Sequence, residues 1–361
     1  MAQVFTIGSI NVDDVYRLRQ IVSPGETAAA YAKSTFPGGK GANQSVAVAR
    51  GLGLGGSSPA TTAAVYHVGM INKADGQWIA DLMHASGVKT DLLAHTPVEG
   101  DAAATGTGRA IIQVAASGEN AIILYPGANH LLDPDVHFPS QELLDRQAGH
   151  AFFLFQNEIS NGPAFLRKAK SAATRTNARG RRRGTVVFNP APCTPSLASE
   201  FDLALVDILI VNEGELDTLT VSLGITAASG WQAKLLSILA RFPSIAIAIV
   251  TLGSKGAGIL AQGRSAPTLV PSLNIYPVDT TGAGDTFVGF FVAGLVRRAV
   301  EVGDLMANTQ EAESVWDAVV GAVKVAAAAA AVACEREGAM SGIPMLEEVE
   351  ERIRFSDEHS R

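Results

Sequence analysis

Short apolar runs recur along this chain, each ending in a polar residue and followed by a stretch of helical composition. Residues 4–10, 62–69, 151–156, 185–189, 207–211 and 245–251 are the runs. Strands of a parallel sheet covered by helices on both faces have this near-continuous apolar character. Residues 42–50 and 76–86 supply helical patterns between them. The alternation predicts βαβ units, and so an α/β fold with a mainly parallel sheet. Polar residues at the carboxyl ends of such strands are where these folds build sites.

Two segments break the alternation. Residues 15–36 read as irregular, with Ser23-Pro24-Gly25-Glu26 as a turn. Residues 105–125 hold two strand-like runs around Ala116-Ser117-Gly118-Glu119-Asn120, a hairpin pattern. Together they predict a small sheet standing off the core as a lid over a substrate. Residues 52–62 and 174–184 read as surface loops. The second carries a basic cluster ending Arg181-Arg182-Arg183, and such charge runs are expected to be solvated. One domain is expected over residues 1–355, with lid segments inserted at 14–37 and 101–126 and a tail at 356–361.

Composition narrows the function classes. Apolar residues are 47% of the 361 and charged residues 17%, which suits a sheet buried on both faces. A formal net charge of -7 argues against a general nucleic-acid binder, since such proteins are basic overall. Two cysteines, Cys193 and Cys334, make no disulfide framework, so a reducing compartment is expected. No basic-then-apolar leader is legible at the start, and charge borders residues 325–333 too closely for a membrane span. The expectation is a cytoplasmic protein, with the nucleus as a second compartment, contacting neither nucleic acid nor membrane.

The chemistry concentrates in Val278-Asp279-Thr280-Thr281-Gly282-Ala283-Gly284-Asp285-Thr286-Phe287. Gly282 and Gly284 let the backbone turn tightly against a ligand. Residues 287–296 are apolar enough for a buried helix, so the turn's N–H groups point from a helix N-terminus, an anion site. Asp285 sits at the same end as a candidate base. A phosphate cradle beside a base is what a phosphotransferase needs.

This stretch and Pro37-Gly38-Gly39-Lys40-Gly41-Ala42-Asn43-Gln44 together resemble the two signatures of the ribokinase/phosphofructokinase-B sugar kinase family. The resemblance runs from residue 4 to about 344. It implies a three-layer α/β/α core with a small β-sheet lid, and the Gly-Gly-Lys-Gly form is nearer the ribokinase branch than the fructokinase-like or adenosine-kinase-like ones. Asn11 and Asp13 alternate along an extended chain, so both can face one ligand and bond neighbouring hydroxyls. The family uses the matching pair on its sugar, whereas the residues alone also allow an Asx turn. Gly39, Lys40, Asn43 and Glu158 match further sugar positions, although Glu158 alone would also pass for a solvated loop acid.

Asn212 and Glu215 match an Asn-x-x-Glu motif linked to Mg²⁺ and phosphate. Their i, i+3 spacing puts them on one face of a helical turn, and a hard ion there keeps several waters. Thr251, Gly253, Ser254 and Gly256 resemble the family's ATP loop, which Asn212 and Gly284 complete. Asp279, Thr281, Ala333 and Gly338 match a monovalent-cation site for K⁺. The chain departs from the family there, with Gly342 where a serine is usual and Ser341 one position earlier.

The implied reaction is ATP-dependent phosphorylation of D-ribose at its 5-hydroxyl. Asp285 would take the proton, and Gly282, Ala283 and Gly284 would form the anion hole. Another small sugar or a nucleoside is the alternative acceptor. A non-catalytic sugar-binding protein on this fold is a further alternative, and it would have lost Asp285 or the glycines. A G-x-G-x-x-G match at Gly51, Gly53 and Gly56, with Asp75 downstream, follows a helix instead of a strand, the wrong context for a dinucleotide site. Open lid edges predict a homodimer through the lid.

Overall fold

Alternation along the buried strands sorts their side chains into two apolar layers. In strand β1 (Gln3–Ile7), Val4 faces one layer while Phe5 and Ile7 face the other. The structure is a computed structural model that describes residues 2–55, 63–100, 105–146, 149–176, 182–225, 228–300 and 310–359, with side chains from 313 onward in the last segment. The further strands are β2 (Asn11–Leu18), β3 (Ala32–Gly38), β4 (Ala64–Ile71), β5 (Val88–Lys89), β6 (Leu93–His95), β7 (Gly108–Ala115) and β8 (Asn120–Tyr125). They continue with β9 (Ala151–Phe155), β10 (Gly184–Phe188), β11 (Ile208–Asn212), β12 (Ile247–Thr251), β13 (Ala257–Ala261) and β14 (Thr268–Val270). The helices are α1 (Lys40–Gly51), α2 (Lys73–Ala85), α3 (Pro134–His137), α4 (Gln141–Asp145), α5 (Gly162–Thr174) and α6 (Leu197–Glu200). After them come α7 (Glu213–Ser222), α8 (Gly230–Arg241), α9 (Ala283–Arg297), α10 (Gln310–Cys334), α11 (Ala339–Gly342) and α12 (Leu346–His359).

The large sheet runs β14-β13-β12-β11-β10-β9-β1-β4-β5, with β6 also on β4. Every pairing is parallel except the two that attach β13 and β14. Helices α1, α9 and α10 contribute to the layer on one face, and α5, α7 and α8 to the layer on the other. This is the expected α/β/α sandwich. The stretch Glu313–Cys334 of α10 is long and apolar enough to cross a membrane by length and composition alone, but most of it is buried inside the fold.

Five expectations change in detail. The run at 4–10 is not one strand: β1 stops at Ile7 and the chain leaves the sheet at Gly8. A Cβ on Gly41 would lie 2.5 Å from the Gly8 carbonyl carbon, so helix α1 starts in backbone contact with this exit. Residues 15–36 are not irregular. Strands β2 and β3 pair antiparallel there, with the predicted turn closed by Glu26 N–H on the Ser23 carbonyl. With β7 and β8 they form the second sheet, in the order β3-β2-β7-β8. Residues 101–104 of the lid segment lie outside the described residues.

The basic cluster is only partly solvated. Arg182 makes two hydrogen bonds to the buried Asp207, which Lys170 and the Val186 N–H also hold, and Arg183 pairs with Asp145. Residues 177–181 lie outside the described residues, as do 56–62. Leu52, assigned to the Gly/Ser/Thr loop, is fully buried. Residues 356–359, expected as a tail, continue α12, and 360–361 lie outside the described residues.

What positions the site is a seam between α1 and α9. Asn43, Ala47 and Gly51 recur every fourth residue on α1, as do Asp285, Gly289 and Ala293 on α9. Such spacing lines up one face of each helix. A Cβ on Gly289 would lie 2.3 Å from the Ala47 Cβ and 2.7 Å from the Val48 nitrogen. The two backbones therefore approach closer than any other residue at 289 permits.

Gly289→Ala is expected to overpack this seam and destabilise the protein by about 1–3 kcal/mol. Gly214 is the contrast, since a Cβ there would meet only the Asn212 Oδ1 at 3.5 Å. Gly214→Ala is expected to stay within about 0.5 kcal/mol of the parent or gain stability. Urea unfolding of the two variants checks both; equal losses would show that the seam is not the tight point.

Candidate active site

The ends of β9, β11 and β12 and the starts of α1, α7 and α9 supply the residues of one site. Glycine 282, in the left-handed region at φ 77°, caps α9 and turns the chain into it. The Gly284 and Asp285 N–H groups head that helix, where no preceding turn exists to receive them. The Ala283 N–H is already engaged, with the Thr280 carbonyl at 3.3 Å. Of the predicted anion hole, Gly282 and Gly284 are thus the donors with no backbone acceptor among the described residues.

Asp285 sits at the centre. Its Oδ2 accepts from Asn43 Nδ2 at 3.0 Å and its Oδ1 from Gln44 Nε2 at 2.9 Å. Burial pushes its carboxyl up, against the pull of Lys40, Asn43 and Gln44. Two oriented donors and a raised pKa suit a group that must both hold still and accept a proton.

Glu158 is pinned on the same side. Ser9 Oγ donates to its Oε2 at 2.5 Å, the Lys40 N–H donates to the same oxygen at 3.0 Å, and the Lys40 ammonium lies 3.5 Å from Oε1. Burial acts against the charged form of Lys40, but Glu158, Asp285 and Glu215 outweigh it and hold the ammonium charged. Asn11 is buried, and its Oδ1 accepts from Asn129 Nδ2 at 2.8 Å. Asp13 lies over the Gly38 Cα, where any Cβ would collide with its carboxylate. No hydrogen bond reaches the Asp13 carboxylate among the described residues. Burial, then the charge of Glu158, pushes its pKa up to about 7.

The second half of the site is a cavity of about 560 Å³. Asn212, Thr251, Gly253, Ser254, Gly256 and Gly284, the predicted ATP group, all line it. Its far wall is apolar, from Phe287, Ala327, Ala330 and Ala331. Gly253 and Gly256 both have positive φ, and a Cβ on Gly256 would meet the Val270 carbonyl at 2.0 Å, so the loop needs glycine there. Asn212 and Glu215 form a reciprocal capping box at the start of α7, each side chain bonded to the other's N–H at 2.8 and 2.9 Å. The predicted metal residue thus also ends a helix. Burial raises its carboxyl, which feels both Lys40 and Asp285.

The predicted cation residues also converge. Asp279 accepts from the Thr281 N–H and the Gly338 N–H, both at 2.9 Å, and its own N–H reaches the Cys334 carbonyl at 3.1 Å. Burial works against its ionised form, but these hydrogen bonds prevail and hold its carboxyl below the usual range. The Ala333 carbonyl accepts from the Arg336 N–H, and a Cβ on Gly342 would lie 3.2 Å from that carbonyl oxygen. Asp75 of the discounted dinucleotide motif is bonded to Thr107 instead.

Sequence reasoning assigned no role to Ser9, Gln44, Asn129, Gln156 or Asn189. Gln44 lies inside one recognised motif and Gln156 two residues before Glu158, so proximity was the available signal.

Comparison with known proteins finds carbohydrate kinases along nearly the whole chain. The family described as pfkB family carbohydrate kinase matches residues 1–346. A ribokinase of Haemophilus influenzae is 30% identical over 350 residues, covering 97% of this chain and 98% of its own. Among solved structures, ribokinase from Cryptococcus neoformans in complex with ADP superposes with a TM-score of 0.73 at 32% identity, covering 98% of this chain and 100% of its own. Arabidopsis thaliana ribokinase complexed with ribose and ATP gives a TM-score of 0.70 at 26% identity, covering 97% and 98%.

The raised Asp13 carboxyl has a measurable consequence. Its folded pKa of about 7 exceeds the ordinary aspartate value of 3.8, so between those values the folded state keeps a proton that the unfolded chain has lost. Its contribution to stability therefore falls as pH rises through that window and is level above it. Asp13→Asn is expected to gain about 3 kcal/mol relative to the parent between pH 4 and pH 8. Denaturant melts at both pH values test this, and a stability difference independent of pH would exclude Asp13 as the titrating group.

Proposed function

The chain belongs to the pfkB family of carbohydrate kinases, and we propose that it transfers the γ-phosphoryl group of ATP to O5 of D-ribose, giving D-ribose 5-phosphate and ADP. The observation that carries this reading is Asp285, held by two amides between the polar pocket of Asn11, Asp13 and Glu158 and the cavity lined by the ATP loop. Its neighbours on the polar side are the acceptors and amides that a polyhydroxylated sugar requires.

Asp285 accepts the proton of the 5-hydroxyl as that oxygen attacks the γ-phosphorus. The Gly284 N–H and the positive end of α9 stabilise the charge that develops on the transferring group. Lys40 offsets the carboxylates that surround it. Phosphoryl transfer is mostly positioning and charge stabilisation, which is what these residues provide.

Among the described residues no three His, Cys, Asp or Glu side chains form a metal cluster. A caged metal therefore does not fit, but Mg²⁺ that keeps its waters and phosphate ligands does, since it needs only one or two carboxylates. Glu215 would hold it through water, and when bound it neutralises phosphate charge. A potassium ion would sit beside Asp279 and Thr281, where an ionised carboxylate meets the Gly338 backbone and Ala333 lies next to Cys334, whose carbonyl takes the Asp279 N–H. Equal rates in potassium and choline chloride would remove it from the reading.

The lid supports a homodimer. On its edge strand β8, Ile122, Ile123, Leu124 and Tyr125 are all 45–58% exposed, and an open apolar edge is normally covered. A second copy of this chain would cover it, and a monomer mass by light scattering at micromolar concentration would exclude that. The free cysteines Cys193 and Cys334 fit a cytoplasmic location.

Two measurements test the assignment. Asp285→Asn is expected to lower kcat by at least ~10²-fold while ribose still binds by calorimetry, as for loss of a positioned base. Near-normal turnover would show that another group takes the proton. In a coupled assay across ribose, deoxyribose, fructose and adenosine, ribose is expected to have the highest kcat/KM, and a tenfold preference for another acceptor would replace it.

A further inference from the structure

Behind the base, on the side away from both pockets, lies a chain of buried amides that the reaction as described does not use. Gln44 is fully buried, Gln156 is 1% exposed and Asn189 7% exposed. Gln44 Nε2 donates to Asp285 Oδ1 and to Asn189 Oδ1, each at 2.9 Å. Gln156 Nε2 donates to Gln44 Oε1 at 2.7 Å, and Asn189 Nδ2 donates to the Ile210 carbonyl at 2.9 Å.

An amide side chain can present either its oxygen or its nitrogen to a neighbour, and the network decides which. Here one backbone group settles the choice. The Ile210 carbonyl can only accept, so Asn189 must turn its nitrogen to it and its oxygen to Gln44. Gln44 must then present its nitrogen, which has two protons and spends one on Asn189 and the other on Asp285. Its oxygen faces Gln156, whose own nitrogen fills it. The reversed arrangement would set two oxygens against each other at Ile210 and again at Asp285. The end of the chain nearest the base is therefore always a donor.

We propose that Gln44 is a positioning residue for the base, fixing the plane of the Asp285 carboxylate from behind, with its own orientation dictated by Asn189 and the Ile210 carbonyl. This rests on the reading of Asp285 as the base. Asn43 bonds the other oxygen and is itself one of the residues matched to the sugar, whereas Gln44 is fully buried. The hydrogen bond to a charged acceptor is of the stronger, charge-assisted kind. It favours the ionised form that must receive the proton. The other charged groups facing Asp285 are Lys40 from α1, Glu158 after β9, Asp13 from β2 and Glu215 from α7. None of them would be altered by a change at Gln44.

Gln44→Met keeps the side-chain length and removes the donor. Kinetics should show kcat down ~10–100-fold with KM for the sugar within ~3-fold, the size expected for one hydrogen bond to a charge. The acid limb of the kcat–pH profile should move up by ~1 unit. Carboxyl ¹³C NMR of aspartate-labelled protein, with the Asp285 signal assigned by its loss in Asp285→Asn, should show the same upward movement of the titration midpoint. If Gln44→Met does not fold, Gln44→Glu, which presents an oxygen in place of the nitrogen, should move limb and midpoint in the same direction. An unmoved midpoint, or a fall in kcat matched by an equal rise in KM, overturns the proposal. Should Asp285→Asn retain turnover, the base assignment fails, yet the NMR midpoint still decides whether Gln44 acts on Asp285.

Discussion

The site exists because two helices touch backbone to backbone. Side chains of moderate length, such as the amides of Asn43 and Gln44, reach Asp285 only if α1 and α9 lie unusually close, and the missing Cβ at Gly289 permits that approach. The same device recurs at the mouth of β1, where Gly41 rests on Gly8. Each contact substitutes shape for bonding energy: nothing attractive is gained at the glycine itself, but every polar contact one turn away depends on it. Close packing elsewhere in a core tolerates small shifts through side-chain adjustment, whereas two apposed backbones have no such freedom.

Electrostatics makes the opposite demand. Asp13, Glu158, Glu215 and Asp285 gather around a single lysine, Lys40. Burial and mutual repulsion raise Asp13 and Asp285 together, because the site's own residues supply little positive charge. A sugar brings hydroxyl donors and a metal–nucleotide complex brings cationic charge, and both relieve the repulsion. The surrounding core, rigid and apolar on two layers, keeps the carboxylates from drifting apart to relieve it themselves. Substrate affinity is thus stored among the pocket's own residues as unfavourable interaction, a common exchange of stability for function.

Much of this was legible in the sequence. Buried parallel strands announce themselves through unbroken apolar runs, and Gly282, Gly284 and Asp285 carry their meaning in residue type and order. The six residues predicted for ATP all line one cavity. Lid strands β2 and β3 were harder, because half-exposed strands mix polar and apolar residues without a clear period. Arg182 looked like a solvated charge because its partner, Asp207, is 25 residues away in sequence. The amides Gln44, Gln156, Asn189 and Asn129 were silent for a different reason. A neutral amide has no charge to pattern and no fixed spacing to its partners, so its role appears only once distant strands and helices are brought together.

The lid hairpin leaves and re-enters the core at a single point. Asn11, where the chain departs, stands opposite Gly38, where it returns, in the register of β2 and β3. The core between Ile10 and Gly39 would therefore need little rebuilding if everything between them were shortened, lengthened or exchanged. The cap over the acceptor can change its recognition by insertion and deletion, leaving the phosphate end of the molecule, assembled from α7, α9 and the β12 loop, under separate selection. A fold wired in this way can diversify what it phosphorylates without relearning how.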